Sequence, residues 1–127
     1  MKELTREMLK IYKPISNLDW MNYRLVKKDV TFHHILKREH GGERMIDNGA
    51  LLMPVSHQYL HIIEYRDLNT YLTINELFKY INQQRKEPTQ EQREIIEYLL
   101  QKFEYKHECD KNSKGKVLIK YQYKNRW

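Results

Sequence analysis

Five of the six histidines in this 127-residue chain fall in one stretch, Phe32 to Glu64: His40 within it and, toward its two ends, the adjacent pair His33-His34 and His57 with His61. Imidazole is both the commonest metal ligand and the side chain that most readily exchanges a proton near neutral pH, so the spacing decides which chemistry is open. His57 and His61 are four residues apart; if residues 56–64 are helical, both rings project from one face, one turn above the other, as a bidentate metal site would require. A third nitrogen from His33 or His34 would give a three-imidazole site with open positions, the condition that separates a catalytic metal from a structural one. Neighbouring residues in a strand point to opposite sides, so one of the pair would face the ion and the other would be free as a base, although a strand end or bulge can bring both near it.

Those positions need elements to hold them. Val30 to Leu36 is a β-branched and aromatic run, predicting a first strand with the histidine pair inside it or at its end. The polar loop Lys37 to Asp47 follows, carrying Gly41-Gly42, where glycine permits a turn with positive φ. Gly49 to Met53, with the apolar GALLM, predicts a second, largely buried strand. Pro54 breaks it, and Ser56 is placed to N-cap the helix that carries His57 and His61.

The ordered set His33-His34, Asn48, His57 and His61, in a strand, loop, strand, helix frame, resembles the HNH nuclease motif of the ββα-metal superfamily, and within it the nuclease domains of DNase colicins. The similarity spans residues 31–64, roughly a quarter of the chain. It implies that His34 is the general base and that His33, His57 and His61 are ligands of one divalent ion, Mg²⁺, Mn²⁺, Ni²⁺ or Zn²⁺. It implies that the Asn48 amide pins the loop by bonding to backbone and so holds His34. The implied activity is hydrolysis of DNA phosphodiester bonds, leaving a 5′-phosphate and a 3′-hydroxyl. Two departures stand out: many members have Asp where this chain has His33, which favours a three-histidine site, and many carry paired cysteines for a structural zinc, which Cys109 alone cannot supply. The rival readings are a catalytically inactive nucleic-acid binding module of the same fold and a protein-interaction factor that uses a helical hairpin.

The length fits one domain, 1–127, with the HNH-like motif at 30–64. No apolar run of about eighteen residues occurs and the first ten residues mix charges, so neither a membrane span nor a secretory signal is expected. With a single cysteine, a reducing, cytoplasmic setting is the expectation. A net charge of +6 suggests a polyanionic partner such as DNA. The cations nearest the histidines are Lys27, Lys28, Lys37, Arg38, Arg44 and Arg66, of which Lys37, Arg38, Arg44 and Arg66 are the candidate nucleic-acid contacts.

Elsewhere the periodicity is plain. Leu4, Met8, Leu9 and Ile11 predict a short helix over residues 3–12 that ends before Pro14, and Trp20, Tyr23 and Leu25 are candidates to pack beneath the motif. Asp67 to Arg85 is amphipathic, with Leu68, Tyr71, Leu72, Ile74, Leu77, Phe78 and Ile81 as its apolar stripe. After the break at Glu87-Pro88, Thr89 and Gln92 form a capping-box pattern ahead of a helix from Gln90 to about Phe103, burying Ile95, Ile96, Leu99, Leu100 and Phe103. Alternation over Val117 to Lys124 predicts a strand, paired with Tyr105 to Cys109 across Asp110 to Gly115. Residues 110–127 carry six cations against one acid, which suits either a phosphate clamp or a solubilising edge hairpin. The expected class is therefore α+β: a ββα-metal core with an added helical hairpin and a C-terminal β-hairpin.

Overall fold

A computed structural model describes residues 2–101. Helix α1 (Glu3–Tyr12) turns Thr5, Met8 and Tyr12 inward at helical spacing and ends where Lys13 takes a left-handed φ of 42° directly before Pro14. The chain then makes a turn closed by one bridge between Leu18 and Arg24, which drives Trp20, Tyr23 and Leu25 into the core. Trp20 meets Tyr12 and Phe78 edge to face, with centroids 5.2 and 5.9 Å away.

Strands β1 (Thr31–His34) and β2 (Gly49–Leu52) pair antiparallel, with His33 opposite Ala50 and His34 opposite Gly49. The first strand is shorter than the Val30 to Leu36 run suggests, for a local reason. Beyond His34 the partner is Asn48 rather than a ladder: Ile35 N–H donates to the Asn48 backbone carbonyl at 2.9 Å, and Leu36 N–H to the Asn48 side-chain oxygen at 2.8 Å.

Helix α2 (Pro54–Arg66) starts two residues earlier than its expected cap, with Pro54 in the first turn, where its missing N–H costs nothing. Ser56 is therefore not the N-cap. It is fully buried, and its hydroxyl donates to the Asp19 carboxylate. Asp67 caps α3 (Leu68–Gln84) by accepting from Thr70 N–H at 3.2 Å, and Arg85, at φ 56°, ends that helix. The capping box of α4 (Gln90–Gln101) forms in both directions, Gln92 N–H to Thr89 Oγ1 at 3.1 Å and Thr89 N–H to Gln92 Oε1 at 2.9 Å.

The class is mixed: among the described residues, four helices and one two-stranded antiparallel sheet. Three residues expected in the core are exposed. The inward face of α3 centres on Ile74, Phe78 and Ile81, which leaves Leu68 and Leu72 at its margin; in α4, Arg93 and Glu94 take inward positions and Ile95 turns out. The expected C-terminal hairpin, Tyr105 to Cys109 with Val117 to Lys124, lies outside the described residues, as does Phe103. No helix among the described residues is long and apolar enough to cross a membrane.

Candidate functional site

Pleating sends His33 and His34 to opposite sides of β1. His33 is buried beneath α2 and α3, whereas His34 lies on the side of Phe32, whose ring it meets edge-on at 4.9 Å. The strand ends at His34, so both rings still border one cleft of about 350 Å³, which His57 and His61 of α2 and Tyr71 of α3 also line. His57 and His61 stack one turn apart with centroids 5.0 Å from each other, and the His33 ring lies 5.1 Å from His57 and 6.5 Å from His61.

The hydrogen-bond partners assign a tautomer to each ring. His33 Nε2 lies 2.9 Å from Asn75 Oδ1, an acceptor, so Nε2 holds the hydrogen and Nδ1 is a lone pair. Thr31 Oγ1 spends its hydrogen on the Leu52 carbonyl at 2.6 Å and can only accept from His57 Nδ1, 3.3 Å away, which leaves His57 Nε2 as a lone pair. His33 Nδ1 and His57 Nε2 face each other at 3.3 Å. With these tautomers neither nitrogen donates to the other. His61 follows the same pattern, its Nδ1 3.3 Å from Glu64 Oε1, while Glu64 is also ion-paired to Lys37. Tying one ring nitrogen to an oxygen acceptor, so that the other is aimed and made more basic, is the usual outer support of a metal-bound imidazole.

Two nitrogens at about 2.0–2.1 Å from a tetrahedral ion stand roughly 3.3–3.4 Å apart, so the spacing between His33 and His57 fits a shared cation. Among the described residues, no three imidazole, thiol or carboxylate groups stand together as a ready-made cage, because His61 leans toward Glu64 and away from His33. The imidazole donor set suits a borderline ion.

The electrostatics favour the neutral forms of His33, His57 and His34. Burial, and then the neighbouring His57, His61 and His34, push His33 down to a pKa of about 3. Burial also lowers His57, helped by His61 and His34, and lowers His34, helped by the Arg38 and Arg44 guanidiniums. Burial pushes the Glu64 carboxyl up, but the bonds from Lys37 and His61 outweigh it and leave the carboxyl below its ordinary value. Neutral imidazoles and an ionised carboxylate are the forms that bind metal.

Asn48 holds the loop that follows His34. Its amide accepts from Leu36 N–H and donates to the carbonyls of Leu36 and Glu43, both at 3.0 Å. Gly41 supplies the turn with φ 93°, and Gly42 matters for a different reason: a Cβ there would stand 1.8 Å from the Leu36 carbonyl oxygen and 2.9 Å from the Asn48 amide nitrogen. Only a residue without a side chain lets the loop close on Asn48.

The four expected nucleic-acid contacts do not gather in one place. Lys37 and Arg38 line the cleft, Lys37 with its ammonium on Glu64. Arg44 lies over the Phe32 ring at 4.8 Å and borders a separate cleft beside Lys2 and Thr5, and Arg66 lines neither.

Asn75 and Tyr71 were not singled out from the sequence as site residues. Asn75 offered a signal: it interrupts an inward stripe of Tyr71, Ile74 and Phe78, and a buried amide calls for a partner. Tyr71, one turn before it, is buried, and its hydroxyl faces Asn75 without a hydrogen bond of good geometry; burial holds the phenol's pKa above its ordinary value and the Asn75 side chain restrains that rise. No protein-family model, no curated protein and no solved structure matches this chain.

Proposed function

We propose that the chain is a divalent-metal-dependent endonuclease of HNH type that hydrolyses DNA phosphodiester bonds. The observation that carries the reading is the pair of neutral imidazole lone pairs, His33 Nδ1 and His57 Nε2, facing each other at 3.3 Å with their other nitrogens committed elsewhere. Such a pair repels itself unless a cation lies between. His33, His57 and, after rotation, His61 would hold a divalent ion, and the ion when bound supplies positive charge against the oxygens of the scissile phosphate.

The chain's own groups do the rest. His34 Nε2 is buried without a partner and is neutral, so it can take a proton from water as the water oxygen bonds to phosphorus and the 3′ oxygen leaves. Asn48, through Leu36 and Glu43, fixes the backbone just past His34 and so the direction of that lone pair. Arg38 at the cleft rim offers a cation for the phosphate chain.

The test is plasmid cleavage by the wild-type chain and His34→Ala in Mg²⁺, Mn²⁺, Ni²⁺ and Zn²⁺, beside metal and DNA titrations. Because a base is not a ligand, His34→Ala keeps metal and DNA affinity while the single-turnover rate falls by about 10²–10⁴. Cleavage by His34→Ala at the wild-type rate overturns the mechanism, and a wild-type chain that binds duplex without cutting it is a binding module instead.

A further inference from the structure

Among the described residues, two buried side-chain polar atoms have no hydrogen-bond partner, His34 Nε2 and Tyr71 Oη. Both residues line the cleft bordered by His33, His57 and His61. The first is accounted for by the proposed reaction; the second is not. Tyr71 is only 3% exposed, and its hydroxyl, which faces the Asn75 side chain, makes no hydrogen bond of good geometry there, a loss of about 1–3 kcal/mol that native chains seldom carry without use.

We infer that the Tyr71 hydroxyl is one wall of an oxyanion subsite in the cleft, donating its hydrogen to a non-bridging oxygen of a bound phosphate. The hydroxyl is a donor that lacks an acceptor, and the protein's own acceptors nearby are taken: Asn75 Oδ1 by His33 and the Glu64 carboxylate by Lys37 and His61. The charges around the opening favour an anion. Lys37 and Arg38 line it, and the one carboxylate beside Lys37 that bonds inward, Glu64, is neutralised by that lysine; Glu39 at the rim is exposed, 4.0 Å from the same ammonium. Tyr71 comes from α3, outside the strand, loop, strand, helix segment, so the added helix completes the pocket that the histidines open. The inference rests on the nuclease reading for the phosphate's source, a DNA strand, but the subsite itself requires only a phosphate oxygen.

The experiment compares wild type, Tyr71→Phe and, as a control, Tyr80→Phe, which removes an exposed hydroxyl from the same helix. Each is titrated with a short DNA duplex and, separately, with inorganic phosphate, in Mg²⁺ and in EDTA, and each is melted without ligand. Tyr71→Phe loses about tenfold in duplex affinity, the worth of one hydrogen bond to a charged oxygen. Its metal affinity is unchanged and its ligand-free melting temperature is equal to wild type or higher, since the lost hydroxyl had no partner to lose. Tyr80→Phe matches wild type throughout. Equal duplex and phosphate affinity in Tyr71→Phe, or a lower melting temperature from a hydroxyl held by structural water, overturns the subsite. If wild type binds phosphate in a Tyr71-dependent way but neither binds nor cuts DNA, the subsite stands and the nuclease reading falls; if it binds neither, both fall.

Discussion

Two of the places where the protein buries polar side chains treat them in opposite ways. Around Asp19, every group is answered: one carboxylate oxygen accepts from Met21 and Tyr23 N–H at 2.8 and 2.9 Å, the other from Met53 N–H at 2.8 Å and from the Ser56 hydroxyl. Arg93, also buried, donates to the Asp19 and Asn22 oxygens, to Ser16 Oγ and to Glu87. In the histidine cleft, two lone pairs confront each other and a hydroxyl and an imidazole nitrogen have no partner. A satisfied network holds elements together, here the turn after α1, the start of α2 and α4. An unsatisfied one lacks that role, and the proposed site rests on this contrast.

The largest effect belongs to the satisfied region. Asp19→Ala leaves three N–H groups and a hydroxyl buried without an acceptor, and removes one of the two carboxylates whose charge acts on Arg93, the other being its ion-pair partner Glu87. Burial raises the Asp19 carboxyl's pKa and its four hydrogen bonds restrain that rise, so the group is costly to keep and costlier to remove. The expected loss is about 3–5 kcal/mol in urea unfolding. A change below about 1 kcal/mol would dissolve the contrast, because the network would then be no more than surface chemistry turned inward.

Much of this arrangement was legible from residue spacing, and the part that was not shares a physical cause. Spacing placed α1, α3 and α4, and the histidine set with Asn48 stood out because short-range chemistry carries it. Ser56 misled because a serine two residues after a proline has the look of a cap, while its true partner, Asp19, is 37 residues away. Ile95 and Leu68 misled because helical periodicity locates a stripe but not the edge of the surface it meets. Asn75 reaches His33 across 42 residues, a pairing that only the packing of α3 on β1 creates. Whether residues 110–127 act as phosphate clamp or edge hairpin lies beyond the described residues.

The next effect in size belongs to the cleft. His57 is half-buried, so His57→Ala costs the metal-free fold little, yet it deletes one of the two facing lone pairs. Titration by calorimetry should show at least about a hundredfold weaker divalent binding. The gain in stability from saturating metal, about 2.7 kcal/mol at a hundred times the dissociation constant, should vanish in the variant. Equal metal content in variant and wild type by elemental analysis would remove the ion from this cleft and with it the account of why two lone pairs meet there.

The smallest effect is the most diagnostic, since it reads the lone pairs in the absence of metal. His33 titrates at about 3 in the fold against an ordinary 6.5. Between those values the unfolded chain binds a proton that the native chain refuses, so native stability rises with pH across the window. It is complete above about 6.5 and is lost as pH falls toward 3, at no more than about 1.4 kcal/mol per pH unit for one proton. The lowered pKa values of His57 and His34 act with the same sign, whereas the raised pKa of Asp19 acts against it at the acid end. His33→Asn isolates the term, because asparagine keeps a polar contact for Asn75 without titrating. Urea unfolding of EDTA-treated protein at several pH values should give a wild-type slope steeper than that of His33→Asn by about one proton between pH 4 and 6. Parallel slopes would mean that the native cleft already holds that proton. The facing nitrogens would then be a hydrogen-bonded pair at rest, and nothing in the cleft would call for a cation.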